Sequence, residues 1–356
     1  MLLLKQLKDA VSSARSLQVT RYYVSIPFLD KGANVIRSTS HCPYENLALE
    51  DYLYETVDFS DGRRLLYLWA NRPCIVVGRH QNPWKEVNLR LQRSKDVLLC
   101  RRKSGGGTVY HDLGNLNLTF FTSRNNYNRK HNLDFIIKAL KQHYCLDISY
   151  NERDDILLDN EFKVSGTAAK LGLRTAYHHC TLLCDTNLNA MSGLLRSPFG
   201  GSISTKATSS VSSVTENLFP GNYNLKTITD VIGQEFCNEL PNDFKVIDIN
   251  PLDISGINKH IEELKSWEWV FGKTPKFQLS NIWDYNGLNV QIELEVVKGV
   301  IRDAALTIDD IVVNSPFLKD LIGEYYCVET IDKVERNCSG FSIDFENLML
   351  EWIFKG

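Results

Sequence analysis

Three consecutive glycines, Gly105, Gly106 and Gly107, lie inside the stretch Arg101-Arg102-Lys103-Ser104-Gly105-Gly106-Gly107-Thr108-Val109-Tyr110-His111-Asp112. Each glycine loses more backbone freedom on folding than any other residue, so such a run does not suit the interior of a helix or strand. It suits a place where several residues need positive φ, or where a ligand must touch the main chain. Consecutive backbone N–H groups with no side chains between them form an anion cradle. Arg101, Arg102 and Lys103 add cations suited to phosphate or carboxylate, and Ser104 adds a donor. Two readings fit the glycines alone: a ligand-binding loop, and a glycine-rich hairpin with a solvated basic flank. The loop is not of Walker type, because no Gly-Lys-Ser/Thr follows, and it does not carry the dinucleotide fingerprint.

The rest of the chain is that of an ordinary globular protein: 356 residues, 43% hydrophobic and 23% charged. That length suggests two domains, or one large domain with an appendage. A net charge of −3 lacks the basic footprint of a dedicated nucleic-acid binder. No run of uninterrupted apolar residues is long enough to span a membrane. The nine cysteines are scattered without a Cys-x-x-Cys pair, which fits a reducing compartment and buried thiols, and predicts no metal site. The first 25 residues carry Lys5, Lys8, Arg15 and Arg21 against the single acid Asp9, with serines interleaved and leucines along one helical stripe. A basic, amphipathic, acid-poor start predicts a mitochondrial presequence, a frayed first helix being the other reading.

Apolar periodicity predicts a helix over 45–57 and another over 133–144. Leu65-Leu66-Tyr67-Leu68-Trp69 and Cys74-Ile75-Val76-Val77 read as buried strands around an Asn71-Arg72-Pro73 turn. Further strands are expected at 97–100, 116–121, 155–158, 162–164 and 179–184. Strands and helices alternate without an even βαβ rhythm, so the fold class is α/β or α+β with mixed sheets. After Pro275, strands at 288–297 and 300–308 joined at Lys298-Gly299, then a helix at 316–322, suggest a small separate α+β unit.

Lys163, ahead of the small-residue turn Ser165-Gly166-Thr167-Ala168, is a candidate fixed charge beside a phosphate or polarised carbonyl; an exposed hairpin lysine is the plainer reading. His178 and His179 are adjacent on a strand and face opposite ways, so they do not share a metal. Cys180 has no visible activating partner and reads as an inert buried thiol.

Together these segments resemble the lipoate–protein ligase and lipoyltransferase family. The resemblance rests on Val77-Gly78-Arg79-His80-Gln81-Asn82-Pro83-Trp84, on 101–117, on Lys163-Val164-Ser165-Gly166-Thr167-Ala168, on Tyr177-His178-His179-Cys180-Thr181-Leu182-Leu183, and on Ser266-Trp267-Glu268-Trp269-Val270-Phe271-Gly272. Thr-Val-Tyr-His after the glycines and Tyr-His-His-Cys are similar to the animal mitochondrial lipoyltransferases within it. The resemblance implies a presequence over 1–25, a large α/β catalytic domain of the biotin- and lipoate-ligase kind over 26–275, and a small accessory domain over 276–356. It implies an acyltransferase that moves a lipoyl group from lipoyl-AMP, or from a lipoylated carrier such as glycine-cleavage H protein, to a lysine of the lipoyl domains of 2-oxoacid dehydrogenase complexes. Lys163 is then the catalytic residue. Arg102, Ser104, Gly105, Gly106, Gly107, Tyr110, Arg153, Lys163, Thr181, Thr205, Ala207 and Thr208 are the expected lipoyl-AMP ligands. Lipoyl-AMP is a substrate rather than a bound cofactor, and the protein is expected to act as a monomer in the mitochondrial matrix. A side chain at Gly106 is expected to block approach of the ligand to the backbone, with the fold left near intact.

One departure bears on the donor. Bacterial ligases carry basic residues in the adenylate loop, whereas Ala207-Thr208-Ser209-Ser210-Val211-Ser212-Ser213-Val214-Thr215 has none after Lys206. Pyrophosphate release from ATP wants cations there, so a preformed donor is expected. The competing readings are a complete ATP-dependent lipoate ligase and a non-catalytic lipoyl-AMP-binding protein. No general base is identifiable in the sequence.

Overall fold

A computed structural model describes residues 35–238, 246–314 and 316–330. The expected presequence lies outside these residues.

Six strands form the main sheet, in the order Thr167–Leu171, Thr175–Leu183, Asn115–Ser123, Leu65–Ala70, Val35–Ser38 and Val246–Ile249. Val35–Ser38 runs parallel to both of its neighbours and the other pairings are antiparallel, so the sheet is mixed. Alternation in Leu65–Ala70 explains its position. Leu65, Tyr67 and Trp69 pack on one face with Leu49 and Leu53 of helix Pro43–Thr56 and Ile261 and Leu264 of helix Ile257–Lys265. Leu66 and Leu68 pack on the other face with Phe135 and Ile136 of helix Arg129–Tyr144 and Ile232 and Phe236 of helix Leu225–Asn238. A strand clad on both faces carries apolar residues throughout, and all six of its residues are buried.

A second mixed sheet has Cys74–Val77 at its centre, parallel to Leu98–Arg101 and antiparallel to Val109–His111. The glycine run is the connection between those two outer strands. A third, antiparallel sheet comprises Ile148–Tyr150, Ile156–Leu158 and Phe162–Ser165. The expected strands and all three expected helices are present, with ends displaced by a few residues.

The last sheet is wholly antiparallel: Ile203–Thr205, Phe277–Tyr285, Leu288–Val297, Val300–Ile308 and Ile311–Val313. Its hairpins turn at Asn286-Gly287, Lys298-Gly299 and Asp309-Asp310, all six residues having positive φ, as tight hairpin turns require. The Asn-Gly pair is the signal that marks the unforeseen strand Phe277–Tyr285. Ile203–Thr205 enters this sheet from before residue 275, so the two expected units share a strand. Trp84 joins them as well, its ring 5.0 Å from Phe271, 5.2 Å from Phe277 and 5.3 Å from Tyr326 between centroids.

Candidate active site

The loop after Leu98–Arg101 is held by its own arginines. Arg101 is fully buried. Its guanidinium donates to the carbonyls of Gly78, Arg79, Gln81 and Val270 at 2.8–3.1 Å and to Thr274 Oγ1 at 2.9 Å. Trp269 Nε1 donates back to the Arg101 carbonyl at 2.7 Å. Arg101 therefore staples the segment around Gly78 to the aromatic segment before Pro275 and is not available to an anion. Lys103 leans over the Trp269 ring at 3.8 Å and pairs with Glu263 at 2.7 Å. The cradle of three cations expected from the sequence is thus reduced to Arg102.

Arg102 is itself engaged. Its Nε donates to Ser104 Oγ at 3.0 Å, and its other nitrogens bond the carbonyls of Val76, Gly105 and Gly107 at 2.6–3.0 Å. It winds the glycine loop around one guanidinium. Gly106 alone of the three has positive φ, at +86°, and a Cβ there would stand 3.0 Å from Arg102 Nη2. A side chain at Gly106 would therefore meet the loop's own anchor, beside the inner chamber that Gly106 lines. Gly105 faces open space.

Beneath the loop runs a buried hydrogen-bonded chain. Trp69 Nε1 donates to Thr119 Oγ1 at 3.1 Å, and Thr119 donates to Glu50 Oε1 at 2.7 Å. Glu50 Oε1 also receives His179 Nδ1 at 2.8 Å, while His179 Nε2 meets Ser104 Oγ at 2.9 Å. Ser104 accepts from Arg102 and donates to His179, so the chain ties helix Pro43–Thr56 to the loop. Glu50 and His179 were not among the expected site residues; the packing of helix Pro43–Thr56 on strand Thr175–Leu183, invisible in a local motif, brings them together.

The cavity has two chambers. An inner one of about 300 Å³ is walled by Leu47, Trp69, Val76 and His111 and reaches Asp155 and Lys163. An outer one of about 650 Å³ is bounded by Met191, Leu195, Lys85 and Arg196. Lys163, Gly166, Thr181 and Ser209–Val211 line both, and so stand at the junction. Lys163 Nζ lies 2.7 Å from Asp155 Oδ1, and Arg153 Nη2 lies 3.7 Å from Asp155 Oδ2. Strand Phe162–Ser165 holds Lys163 through its pairing with Ile156–Leu158. Thr181 Oγ1 accepts the Gly166 N–H at 3.0 Å and fixes the turn that follows the lysine.

Of the expected ligands, Arg102, Gly106, Gly107, Arg153, Lys163, Thr181 and Thr208 line the inner chamber, and Tyr110 lines the outer one. Four are not on either wall. Ser104 is buried behind the loop, Gly105 points away, Thr205 bonds Lys276 in the last sheet, and Ala207 bonds Thr205. Cys180 lines the inner chamber, and burial pushes its thiol up to about 12, so it stays protonated and inert.

Residues 206–214 close over the junction. Ser210 Oγ accepts from the Thr108 N–H at 2.9 Å and from Gln81 Nε2 at 3.0 Å, and Thr208 N–H donates to the His80 carbonyl at 3.1 Å.

Residues 42–237 match the lipoyl protein ligase A/B catalytic domain, over more than half of the chain. The chain belongs to the lipoyl protein ligase A/B family. As a member of that family it is an enzyme, an acyltransferase of protein lipoylation. It is 41% identical over 324 residues to the mitochondrial lipoyl amidotransferase LIPT1 of Mus musculus, covering 86% of each chain. It is 39% identical over 311 residues to the Homo sapiens protein of the same name, covering 83% of each. Among solved structures, Plasmodium falciparum LipL1 in complex with lipoate superposes with a TM-score of 0.56 at 27% identity, covering 91% of this chain and all of that one. Lipoate-protein ligase A bound with ATP gives 0.53 at 20% identity over 67% of this chain, which bears on the fold. The ligase-like architecture with mixed sheets expected from the sequence is the one observed.

Proposed function

We propose that this family member transfers a lipoyl group from a preformed activated donor, lipoyl-AMP or a lipoylated carrier protein, to a lysine of a lipoyl domain. The observation that carries the reading is Lys163 Nζ at the junction of an inner chamber walled in part by Leu47, Trp69 and Val76 and a wider outer one. An acyl chain threaded into the inner chamber leaves its carbonyl and its activating phosphate at the junction. There the lysine's charge stabilises the developing oxyanion and the departing phosphate. A donor so placed is worth about 10²–10³ in rate. The acceptor amine, with an ordinary pKa of about 10.4, must arrive neutral or be made so. The Lys163 charge disfavours the ammonium form at the junction. Lipoyl-AMP is a mixed anhydride, so its carbonyl needs no further activation; water must be kept out, which is the work of residues 206–214.

The fitting acceptors are the lipoyl domains of 2-oxoacid dehydrogenase complexes, with glycine-cleavage H protein as a carrier. The mitochondrial names of the relatives support action in the matrix. The division at residue 275 into a catalytic and an accessory unit remains part of this proposal, with Ile203–Thr205 as the strand that links them.

Lys85 and Arg196 on the outer wall favour a second reading, activation of free lipoate by ATP, because they supply cations that the loop itself lacks. One assay separates the readings. Purified protein is given an apo lipoyl domain with either lipoyl-AMP, or lipoate with ATP. Lipoylation in the first arm without pyrophosphate release in the second supports the proposal. Pyrophosphate release at a rate matching transfer supports the ligase. Binding of lipoyl-AMP with no transfer defeats both.

A further inference from the structure

Glu86 ends the short helix Pro83–Glu86, whose first turn is capped by Asn82 Oδ1 accepting the Trp84 and Lys85 N–H groups. The Trp84 ring is buried among Phe271, Phe277 and Tyr326. Residues two apart on a helix face away from each other, so burying Trp84 turns Glu86 outward, onto the wall of the outer chamber. Both carboxylate oxygens accept from the Ser210 N–H, at 3.3 Å each. Ser210 lines both chambers, as Lys163 does, so the Glu86 carboxylate reaches the rim of the junction. One backbone donor uses only part of what a carboxylate can accept.

Among the described residues lining the outer chamber, Glu86 is the one carboxylate; Lys85, Lys163 and Arg196 are the cations. The remaining titratable side chain on that wall is Tyr110, whose phenol burial pushes up to about 12, so it stays neutral. Asp155 also reaches the junction, but Lys163 holds it at 2.7 Å and Arg153 stands 3.7 Å away. Among the described residues no lysine, arginine or histidine makes an ion pair with Glu86. An acyl chain in the inner chamber leaves the outer one as the way in for an acceptor lysine. The arriving ammonium meets three cations on that wall and a single acid.

We propose that Glu86 is the general base of the transfer step: it receives the acceptor's ammonium in the outer chamber and takes a proton from the nitrogen as the bond to the acyl carbon forms. The inference rests on the lipoyl-transfer reading above. With lipoyl-AMP as donor, one proton of the ammonium passes to Glu86 and the freed lone pair attacks the acyl carbon. The C–N bond forms, and the C–O bond to phosphate breaks with its electron pair leaving on AMP. The nitrogen's second surplus proton goes to solvent, and Glu86 later releases its own there too. Bond formation makes the nitrogen far more acidic, so a carboxylate suffices as the proton acceptor. The two charges divide the work: Glu86 draws the ammonium in, and Lys163 disfavours charge on the nitrogen at the junction.

Glu86→Gln keeps an oxygen for the Ser210 N–H and removes the base. Single-turnover transfer from saturating lipoyl-AMP to an apo lipoyl domain should fall about a hundredfold near neutral pH, the low end for a positioned base. Calorimetric affinity for lipoyl-AMP should change less than about threefold, because the bond to Ser210 is kept. The pH profile separates a base from a loop anchor. With the base in place the rate changes little between about pH 7 and 9; without it the rate follows the neutral fraction of the acceptor and climbs about tenfold per pH unit toward its ordinary pKa of about 10.4. Glu86→Asp, which keeps a carboxylate, should retain more of the rate than Glu86→Gln. A Glu86→Gln rate within about threefold of the parent's, or parallel pH profiles in the two proteins, overturns the proposal. Should Glu86→Gln not fold, the parent's profile decides: a near-flat one supports the base, and a rise of about tenfold per pH unit overturns it. A parent that binds lipoyl-AMP and transfers to no acceptor defeats the lipoyl-transfer reading and this assignment with it; a transferring parent matched by Glu86→Gln defeats the assignment alone.

Discussion

Replacing Lys163 tests the electrostatic reading of the junction, and the structure makes the expected loss larger than that of one missing charge. In Lys163→Ala the oxyanion and phosphate lose their donor, which costs about 10²–10³ in the transfer step. Asp155, whose side chain is 8% exposed, also loses the cation 2.7 Å away and keeps Arg153 at 3.7 Å. Its carboxylate then faces an anionic donor. For a phosphate roughly 6 Å from it at an effective dielectric constant of about 20, the repulsion is about 3 kcal/mol, or a factor of roughly 100 in donor affinity. The two effects separate experimentally. Single-turnover transfer from saturating lipoyl-AMP reports the first, and calorimetric titration with lipoyl-AMP reports the second. Lys163→Ala/Asp155→Asn should recover most of the affinity and none of the rate. Lys163→Arg should lose much of the rate, because a planar fork does not replace a compact ammonium in this turn. Transfer by Lys163→Ala within about threefold of the parent, against the hundredfold or greater loss expected of one such donor, would remove the residue from the mechanism. A double variant that binds no better than the single one would refute the role given to Asp155. A stoichiometric lipoyl adduct on Lys163, seen by intact-mass spectrometry without acceptor and passed on when acceptor is added, would replace the electrostatic role with a covalent one.

Gly106→Val should lower both the melting temperature and donor affinity, since φ is +86° and the new side chain meets Arg102, whereas Gly105→Ala should change thermal unfolding and binding little. Ser210→Ala takes the acceptor from the Thr108 N–H and one of two acceptors from Gln81 Nε2; stopped-flow measurement should show donor release several-fold faster, about what one hydrogen bond is worth, and an unchanged rate would mean that residues 206–214 do not retain the donor. Burial alone would raise the pKa of Asp51, but His260, Lys170 and Lys103 outweigh it and hold the carboxyl at about 2, below its ordinary 3.8. A depressed carboxylate adds stability that is present above the unfolded pKa and lost as pH falls toward the folded one, here about 2 kcal/mol between roughly pH 4 and 2; urea titrations should show Asp51→Asn less stable at neutral pH and with a flatter acid limb, and an unaltered limb would contradict the assignment. A fluorescent fusion of residues 1–40 should enter mitochondria; cytosolic fluorescence would count against a presequence.

Local chemistry made much of this protein legible in advance. Continuous apolar runs such as 65–69 and 74–77, bounded by turn residues, read as buried strands, and the glycine triplet between Ser104 and Thr108 reads as a loop or turn. Lys163 and Thr181 could be named because each sits beside a short motif. What the chain could not show was where the cations go. Arg101, Arg102 and Lys103 read alike in sequence, yet burial separates them. One staples two distant segments through four carbonyls, one coils the glycine loop, and one stacks on Trp269 and pairs with Glu263. Thr205 and Ala207, expected at the ligand, are drawn off because Ile203–Thr205 finds a sheet edge some seventy residues further on. Asp155, His111 and His179 reach the cavity from three separate segments, and Glu50 stands behind His179 from a fourth, so no spacing rule connects them. Patterning within a dozen residues determines which elements form and which are buried. Only the packing of those elements decides which polar groups satisfy one another and which remain free to meet a substrate, because a hydrogen bond depends on position in space and carries no mark of distance along the chain.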